Sequence, residues 1–344
     1  MMGDAYRILV VKLRYIGDVL LTTPVLKNLR LKYQNSSLDI LINAGTEEVL
    51  KHNRDINEVL LVERGSLIRQ LAFILELRKK KYNLVIDLTD SDRSAILSYL
   101  SGAPIRVGYN SEDRWRGRCY THLVSADRGK MHTVDYQLEA LRLLNIPVKS
   151  PELVLPLGQE DEIFAEKIID EYKLNDGRPK VLIHPGARWW FKSWPPEYFA
   201  KLAVAIQQDL KFHVIFSGSM SDQDDINKIQ SLMALKAVSL AGKTTILQLA
   251  ALLKRCRLFI GNDTGIMHVA AAVGTPVIAF FGLTNPLLWG PRGSGHTVFY
   301  KGIDCSVCFP DGCIRGDKSC MRMITVKEAL SAVRRILIGK NLHA

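Results

Sequence analysis

No stretch of the chain approaches the roughly 20 consecutive apolar residues that a membrane-spanning helix needs. The most apolar region, 269–283, is interrupted by Gly274, Thr275 and Pro276. The amino terminus (MMGDAYR) has no basic segment leading into an apolar one, so no secretory signal is expected and the chain reads as cytoplasmic. No strand-like run is followed by G-x-G-x-x-G, which counts against a dinucleotide oxidoreductase. The pattern G-x-x-x-x-G-K-[ST] is also missing, which counts against a P-loop NTPase. A near match to G-x-S-x-G at Gly293-Ser294-Gly295 has the wrong register for a nucleophile elbow. Helix-turn-helix, zinc-finger and ribonucleoprotein signatures are lacking, so a nucleic-acid partner is not expected.

What is present is an ordinary globular composition, 47% apolar and 24% charged, in 344 residues. That length suits two domains with a core each and excludes a disordered or low-complexity chain. The charge is less ordinary. Lys and Arg number 46 against 35 Asp and Glu, a formal net charge of +11. Such an excess points to an anionic partner (nucleic acid, a membrane surface or a phosphorylated substrate, with nucleic acid the weakest for want of a motif); a merely soluble basic surface is the plain alternative. The basic residues form loose groups (Arg78-Lys79-Lys80-Lys81; Arg114, Arg116, Arg118; Arg334-Arg335), not one tract.

Short β-rich runs alternate with helical patterns from end to end. In the first half, 7–13, 38–42, 59–62 and 84–88 read as strands. Helices are expected over 18–33, 66–81 and 132–144. In the second of these, Leu67, Leu71, Ile74, Leu75 and Leu77 fall largely on one face. The segment 147–156 (PVKSPELVLP) holds three prolines in ten residues and reads as a linker. The alternation then restarts, with strands at 181–184, 212–217, 237–240, 258–261 and 277–281. A last helix is expected over 325–338. Near-continuous apolar strands separated by helices mean parallel sheets covered on both faces. The expected domains are 1–155 and 156–324, with a C-terminal helical segment, 325–344, packing back on the first. In such sheets ligands sit beyond the carboxyl ends of the strands.

Five strand ends carry residues with chemistry. Arg14-Tyr15-Ile16-Gly17-Asp18 follows the first strand, with Gly17 permitting a tight turn. Asp18 is either a helix N-cap or a general base, with Arg14 beside it to hold an anion. Asn262-Asp263-Thr264-Gly265 begins a helix whose free N–H groups and dipole suit a phosphate. His268 lies one turn beyond Thr264; the plain structural alternative is that Asp263 caps and His268 packs. The loop 185–195 offers Arg188 and Lys192 to phosphate and three tryptophans to a flat or apolar surface. Gly218-Ser219-Met220-Ser221-Asp222 joins another strand to a helix, where Asp222 either accepts ribose hydroxyls or caps. Asp90-Ser91-Asp92 has the D-x-D form of metal–nucleotide sites, but Asp92 reads better as an N-cap.

Three of these segments, LRYIGDVLLTTP (13–24), HPGARWWFKSWP (184–195) and GNDTGIMHVAAAVGTPVIAFFG (261–282), occur together and in order. The combination resembles glycosyltransferase family 9, the ADP-heptose:lipopolysaccharide heptosyltransferases, over nearly the whole chain; the LLTTP wording leans toward the type III branch. The resemblance implies an α/β GT-B fold, two doubly wound Rossmann-like domains facing a cleft. It also implies inverting transfer of heptose from ADP-heptose to an acceptor hydroxyl of the lipopolysaccharide inner core, with no essential metal or other cofactor. By that match Asp18 is the catalytic base and Lys192 contacts the donor phosphates. Asp222 lies near the ribose position, and Asp263, Thr264, Gly265 and His268 hold pyrophosphate and sugar. A lipopolysaccharide acceptor implies work at the anionic inner-membrane surface, toward which Lys79–Lys81 and Arg114–Arg118 would steer the protein. A transferase of the same fold with another nucleotide-sugar, or a non-catalytic nucleotide-sugar binder, is the alternative.

Six cysteines occur, four of them crowded together: Cys305, Cys308, Cys313 and Cys320. In a reducing compartment such crowding suggests a bound metal more than disulfides; the spacing is close to zinc-binding patterns without being a standard one, and a local structural loop without metal is the alternative.

Overall fold

The computed structural model describes residues 6–63, 65–305, 308 and 313–338. Two compact units, Met1–Pro156 and Leu157–Ala344, divide the chain. In the first, the elements run β1 (Arg7–Lys12), α1 (Ile16–Leu20), α2 (Thr23–Lys32), β2 (Ser37–Asn43), β3 (Glu58–Val62), α3 (Leu67–Lys79), β4 (Leu84–Asp87), α4 (Asp92–Leu100), β5 (Ile105–Gly108), β6 (His122–Leu123) and α5 (Thr133–Leu143). The second continues with α6 (Gln159–Glu171), β7 (Lys180–His184), α7 (Pro196–Gln208), β8 (His213–Phe216), α8 (Gln223–Ser231), β9 (Val238–Ser239), α9 (Ile246–Leu253), β10 (Leu258–Asn262), α10 (Gly265–Ala272), β11 (Val277–Phe281), α11 (Pro286–Trp289), β12 (Thr297–Tyr300) and α12 (Val326–Ile338).

Each unit contains one six-stranded parallel sheet. The first has the order β3-β2-β1-β4-β5-β6 and the second β12-β11-β10-β7-β8-β9. Counted from its own first strand, each sheet reads 3-2-1-4-5-6, so the two halves share one topology. In both, the order reverses beside the first strand: between β1 and β4, and between β7 and β10. The strands at these reversals are mostly apolar and are buried apart from Arg7 and Lys180 at the starts of β1 and β7, because crossover helices cover both faces. β5, β6 and β12, which sequence reading does not find, are four residues or fewer and lie toward sheet edges.

Several expectations change in detail. The helix expected over 18–33 is two helices. Pro24 has no N–H to donate to the Leu20 carbonyl, and the Thr23 hydroxyl donates to it instead at 2.8 Å. The Thr22 hydroxyl takes the Asp18 carbonyl at 2.9 Å, so the chain breaks between α1 and α2. The apolar arc expected on α3 is only half covered: Leu77 is buried and Ile74 half-buried, but Leu71 and Leu75 are exposed. The Leu67 side chain is outside the described residues. The last helix was expected to pack on the first domain. Its apolar face lies instead in the second unit's own core, where Ala329, Ala332 and Val333 join Phe199, Phe280 and Trp194.

Candidate functional site

In the first unit, the switch point is built around a buried cation. Lys12, the last residue of β1, is only 4% exposed. Its Nζ donates to the Leu88 carbonyl at 2.9 Å and lies 3.6 Å from Asp18 Oδ1. Burial pulls the Lys12 pKa below the ordinary lysine value, and the Asp18 carboxylate opposes that pull. Asp18 is not the N-cap of α1: Tyr15 holds that place, without a side-chain cap bond, and Asp18 sits in the first turn. The carboxylate therefore faces Lys12, on a backbone fixed from the adjacent strand. Leu13 N–H donates to the Thr89 hydroxyl at 2.9 Å, Thr89 N–H donates to Asp87 Oδ1 at 2.8 Å, and Arg14 reaches the Thr89 carbonyl at 3.3 Å. Asp87 is fully buried, and burial raises its pKa although the Tyr120 hydroxyl donates to it at 2.7 Å.

The D-x-D segment has another job. Asp90 pairs with the buried Arg116 at 2.9 Å, and Asp92 and Glu112 each reach the same guanidinium at 3.2 Å. Ser91, not Asp92, is the N-cap of α4, in a capping box with Ser94. Arg116 is thus withdrawn from any surface steering, and Arg114 is paired to Asp92 and Glu112.

In the second unit the two long motifs are tied to each other. Asn262, the last residue of β10, accepts from Trp194 N–H at 3.0 Å and donates to the Pro185 carbonyl at 2.7 Å. It clamps both ends of the 185–194 loop, and sequence reasoning assigned it no role. The next residue, Asp263, pairs with Lys192 Nζ at 2.5 Å, with both side chains mostly shielded from water. Thr264 is the N-cap of α10, yet its side chain makes no cap bond and its buried Oγ1 has no hydrogen-bond partner. A buried hydroxyl without a partner at a helix amino end is a polar group prepared for something else. Gly265 opens the helix and His268 is buried one turn in.

Glycines allow these segments to approach. Gly261 pairs with His184 across the sheet, where a Cβ would lie 2.9 Å from the His184 carbonyl oxygen. A Cβ on Gly186 would meet the Asp222 carboxylate at 2.7 Å. Asp222 is the N-cap residue of α8 but makes no side-chain cap bond to it; its Oδ2 accepts instead from Ser219 N–H and hydroxyl, both at 2.7 Å, in the short turn before the helix, while the carboxylate lies over Gly186. His184, fully buried behind it, accepts or donates to the Ser217 hydroxyl at 3.1 Å. Burial pushes its pKa down, opposed by the charge of Asp222.

The three tryptophans divide. Trp194 is a core anchor, stacked on Phe280 with centroids 4.2 Å apart and bonded through Nε1 to the Ile324 carbonyl at 2.9 Å. Trp189 and Trp190 are exposed, and the Arg188 guanidinium lies over the Trp189 ring. Pro195 is the N-cap of α7 and Pro196 takes its first turn.

Asp263, Thr264 and Lys192 therefore meet at the amino end of α10, beside the switch point of the second sheet, while Asp222 lies over Gly186 just beyond β7. The profile of glycosyltransferase family 9 (heptosyltransferase) matches residues 70–318, which spans this whole constellation. The chain belongs to glycosyltransferase family 9. Within the family, lipopolysaccharide heptosyltransferase 3 of Escherichia coli is 32% identical over 306 residues, covering 84% of this chain and 87% of that protein. The crystal structure of a family 9 glycosyl transferase from Veillonella parvula DSM 2008 superimposes with a TM-score of 0.84 at 25% identity, over 98% of this chain and 99% of that one. Escherichia coli ADP-heptose lps heptosyltransferase II gives 0.77 at 24% identity, over 96% and 98%. The two parallel sheets are those of a GT-B glycosyltransferase.

The cysteines stand apart from this site. No disulfide joins any of the six. Burial and the neighbouring Cys320, Cys305 and Cys313 raise the Cys308 pKa, so the four thiols share one neighbourhood. Among the described residues, however, no three of their sulfur atoms lie within 4.8 Å of one another. Residues 306, 307 and 309–312 of that loop are outside the described residues.

Proposed function

We propose that this family 9 glycosyltransferase moves heptose from ADP-heptose to a hydroxyl of the lipopolysaccharide inner core, with inversion at the anomeric carbon. The observation that carries the reading is the amino end of α10, where the Lys192–Asp263 pair adjoins the unpartnered Thr264 hydroxyl. It suits a pyrophosphate: helix N–H groups, a hydroxyl donor and a lysine, all fixed before the ligand arrives. The names of the relatives, lipopolysaccharide heptosyltransferase 3 among them, support the choice of donor and acceptor.

In the proposed transfer, the acceptor oxygen bonds to the anomeric carbon as the bond from that carbon to the β-phosphate oxygen breaks. ADP leaves with the electron pair, and the acceptor proton passes to Asp18. Charge grows on the departing phosphate, so the lysine and the helix dipole stabilise the transition state more than the ground state. This positive potential replaces a divalent cation, and no metal is required. Lys12 Nζ lies 3.6 Å from Asp18 Oδ1, so the proposed base is held against the end of the adjacent strand. Asp222 takes a ribose hydroxyl with the oxygen its bonds to Ser219 leave over.

The test is direct. Asp18→Asn keeps ADP affinity, measured by calorimetry, and lowers kcat by roughly 10²–10⁴-fold. Near-native kcat in that variant would remove Asp18 as the base. A transfer screen across ADP-, UDP- and GDP-sugars, run in excess chelator, is expected to select ADP-heptose. Preference for another donor, or dependence on added cation, would replace the reading with a different transferase of the same fold.

A further inference from the structure

Helix α3 carries a row of large aliphatic side chains that the protein itself does not cover. Ile68 is 79% exposed, and Leu71 and Leu75 are 60% exposed each. Their spacing, i, i+3 and i+7, puts them in one line along the helix, about 10 Å long. The opposite side of α3, with Leu77, Phe73 and Ile74, packs on the first sheet's core. Single exposed aliphatics are common on soluble proteins, but an aligned row beside an apolar cavity is not. Such a cavity, of 430 Å³, lies between α3, α4 and the end of β3, walled by apolar side chains such as Phe73, Ile74 and Ile96 together with Glu63, Arg69 and Arg93.

The row ends in positive charge. Arg78 and Lys79 follow Leu75 on the same face, and Lys81 comes just after the helix. With Leu75 they border a second, shallower hollow of 650 Å³ whose wall contains no carboxylate. Glu76 pairs with Lys79 at 2.7 Å from outside that wall. Aliphatic side chains in line with clustered cations are the pattern of a helix lying in the interface of an anionic bilayer. A second copy of the chain is a poorer occupant. A symmetric contact along this row would bury cations at both ends, Arg69 at one and Arg78 and Lys79 at the other, with only Glu76 to balance them.

We propose that α3 is a membrane-docking element: Ile68, Leu71 and Leu75 enter the acyl boundary of an anionic phospholipid bilayer, and Arg78, Lys79 and Lys81 contact headgroup phosphates. The inference deepens the lipid-linked acceptor of the proposed function by naming the surface that meets the lipid. It stands on observations in the first unit alone.

Vesicle flotation without donor or acceptor tests it apart from catalysis. The full chain should float with mixed phosphatidylethanolamine and phosphatidylglycerol vesicles and not with phosphatidylcholine alone. The triple variant Ile68→Ser, Leu71→Ser, Leu75→Ser should lose about tenfold or more in vesicle affinity while ADP binding stays unchanged, because these side chains are exposed. Arg78→Gln, Lys79→Gln, Lys81→Gln should weaken binding and flatten its salt dependence. No flotation of the native chain would overturn the proposal, as would full flotation of the aliphatic variant. A dimer in light scattering that the aliphatic variant abolishes, with vesicle binding intact, would assign the row to a second copy instead. Loss of vesicle binding with normal donor selection leaves the transferase reading standing; the reverse result leaves the docking surface standing.

Discussion

A lysine that is almost wholly buried keeps its charge only when neighbouring groups compensate for lost water. At Lys12 those groups are the Leu88 carbonyl and Asp18. The arrangement makes Asp18 and Lys12 a unit, and a cation inside the apolar run RILVVKL was the signal available in the sequence. That signal is easy to pass over, because a lysine at the end of a strand is usually solvated. His184 presents the opposite case, a base held neutral by burial. Its folded pKa lies below the ordinary value of 6.5, so the unfolded chain takes up the proton more readily. The His184 contribution to stability is then complete above about 6.5 and lost progressively as pH falls toward the folded pKa. The unfolding midpoint is expected to drop between about pH 7.5 and 5.5, and His184→Asn should remove part of that drop. An identical slope in the variant would assign the drop to other groups.

Among the elements, α10 makes the sharpest claim. An unpartnered buried hydroxyl costs roughly 1–3 kcal/mol, a cost that a structural role alone does not explain. Thr264→Val keeps the side-chain shape and removes the hydroxyl. The expected result is an unfolding temperature equal to or above that of the native chain, together with ADP binding weakened by about tenfold. Lower stability with unchanged ADP affinity would make Thr264 structural. Strand-end loops like this one were legible in the sequence as helix starts, where glycine, aspartate and threonine either cap or bind an anion; only the unpartnered Thr264 hydroxyl separates the two. Elements that depend on tertiary partners were not. Nothing in Trp194 itself distinguishes it from the exposed Trp189 and Trp190; only Phe280 and the Ile324 carbonyl make it a core residue. On α3 the apolar period was visible, but which half of the arc meets the sheet was not.

At the scale of the molecule, the alternation of strands and helices revealed two α/β halves, yet it could not show their common 3-2-1-4-5-6 order. Strand order depends on pairings between segments far apart in sequence, which no local pattern encodes. That order explains why the chemistry gathers where it does, since reversal of the crossovers opens a crevice at the strand ends. The proposed donor contacts, Lys192, Asp222, Asp263 and Thr264, all belong to the unit Leu157–Ala344. A fragment of that unit is expected to bind ADP within about tenfold of the full chain and to transfer nothing, since Asp18 is missing. A folded fragment that fails to bind ADP would show that the donor site needs the first unit.

The self-contained first sheet also bears on synthesis. Its last strand ends at Leu123, and every strand it pairs with precedes that residue. Parallel sheets of this kind form slowly because their contacts span long loops. Residues 157–344 follow the first unit, and adding them at about 5–20 residues per second gives that unit roughly 10–40 s in which to fold. The nascent chain can therefore settle its first sheet before strands of the same apolar character emerge to compete for its edges.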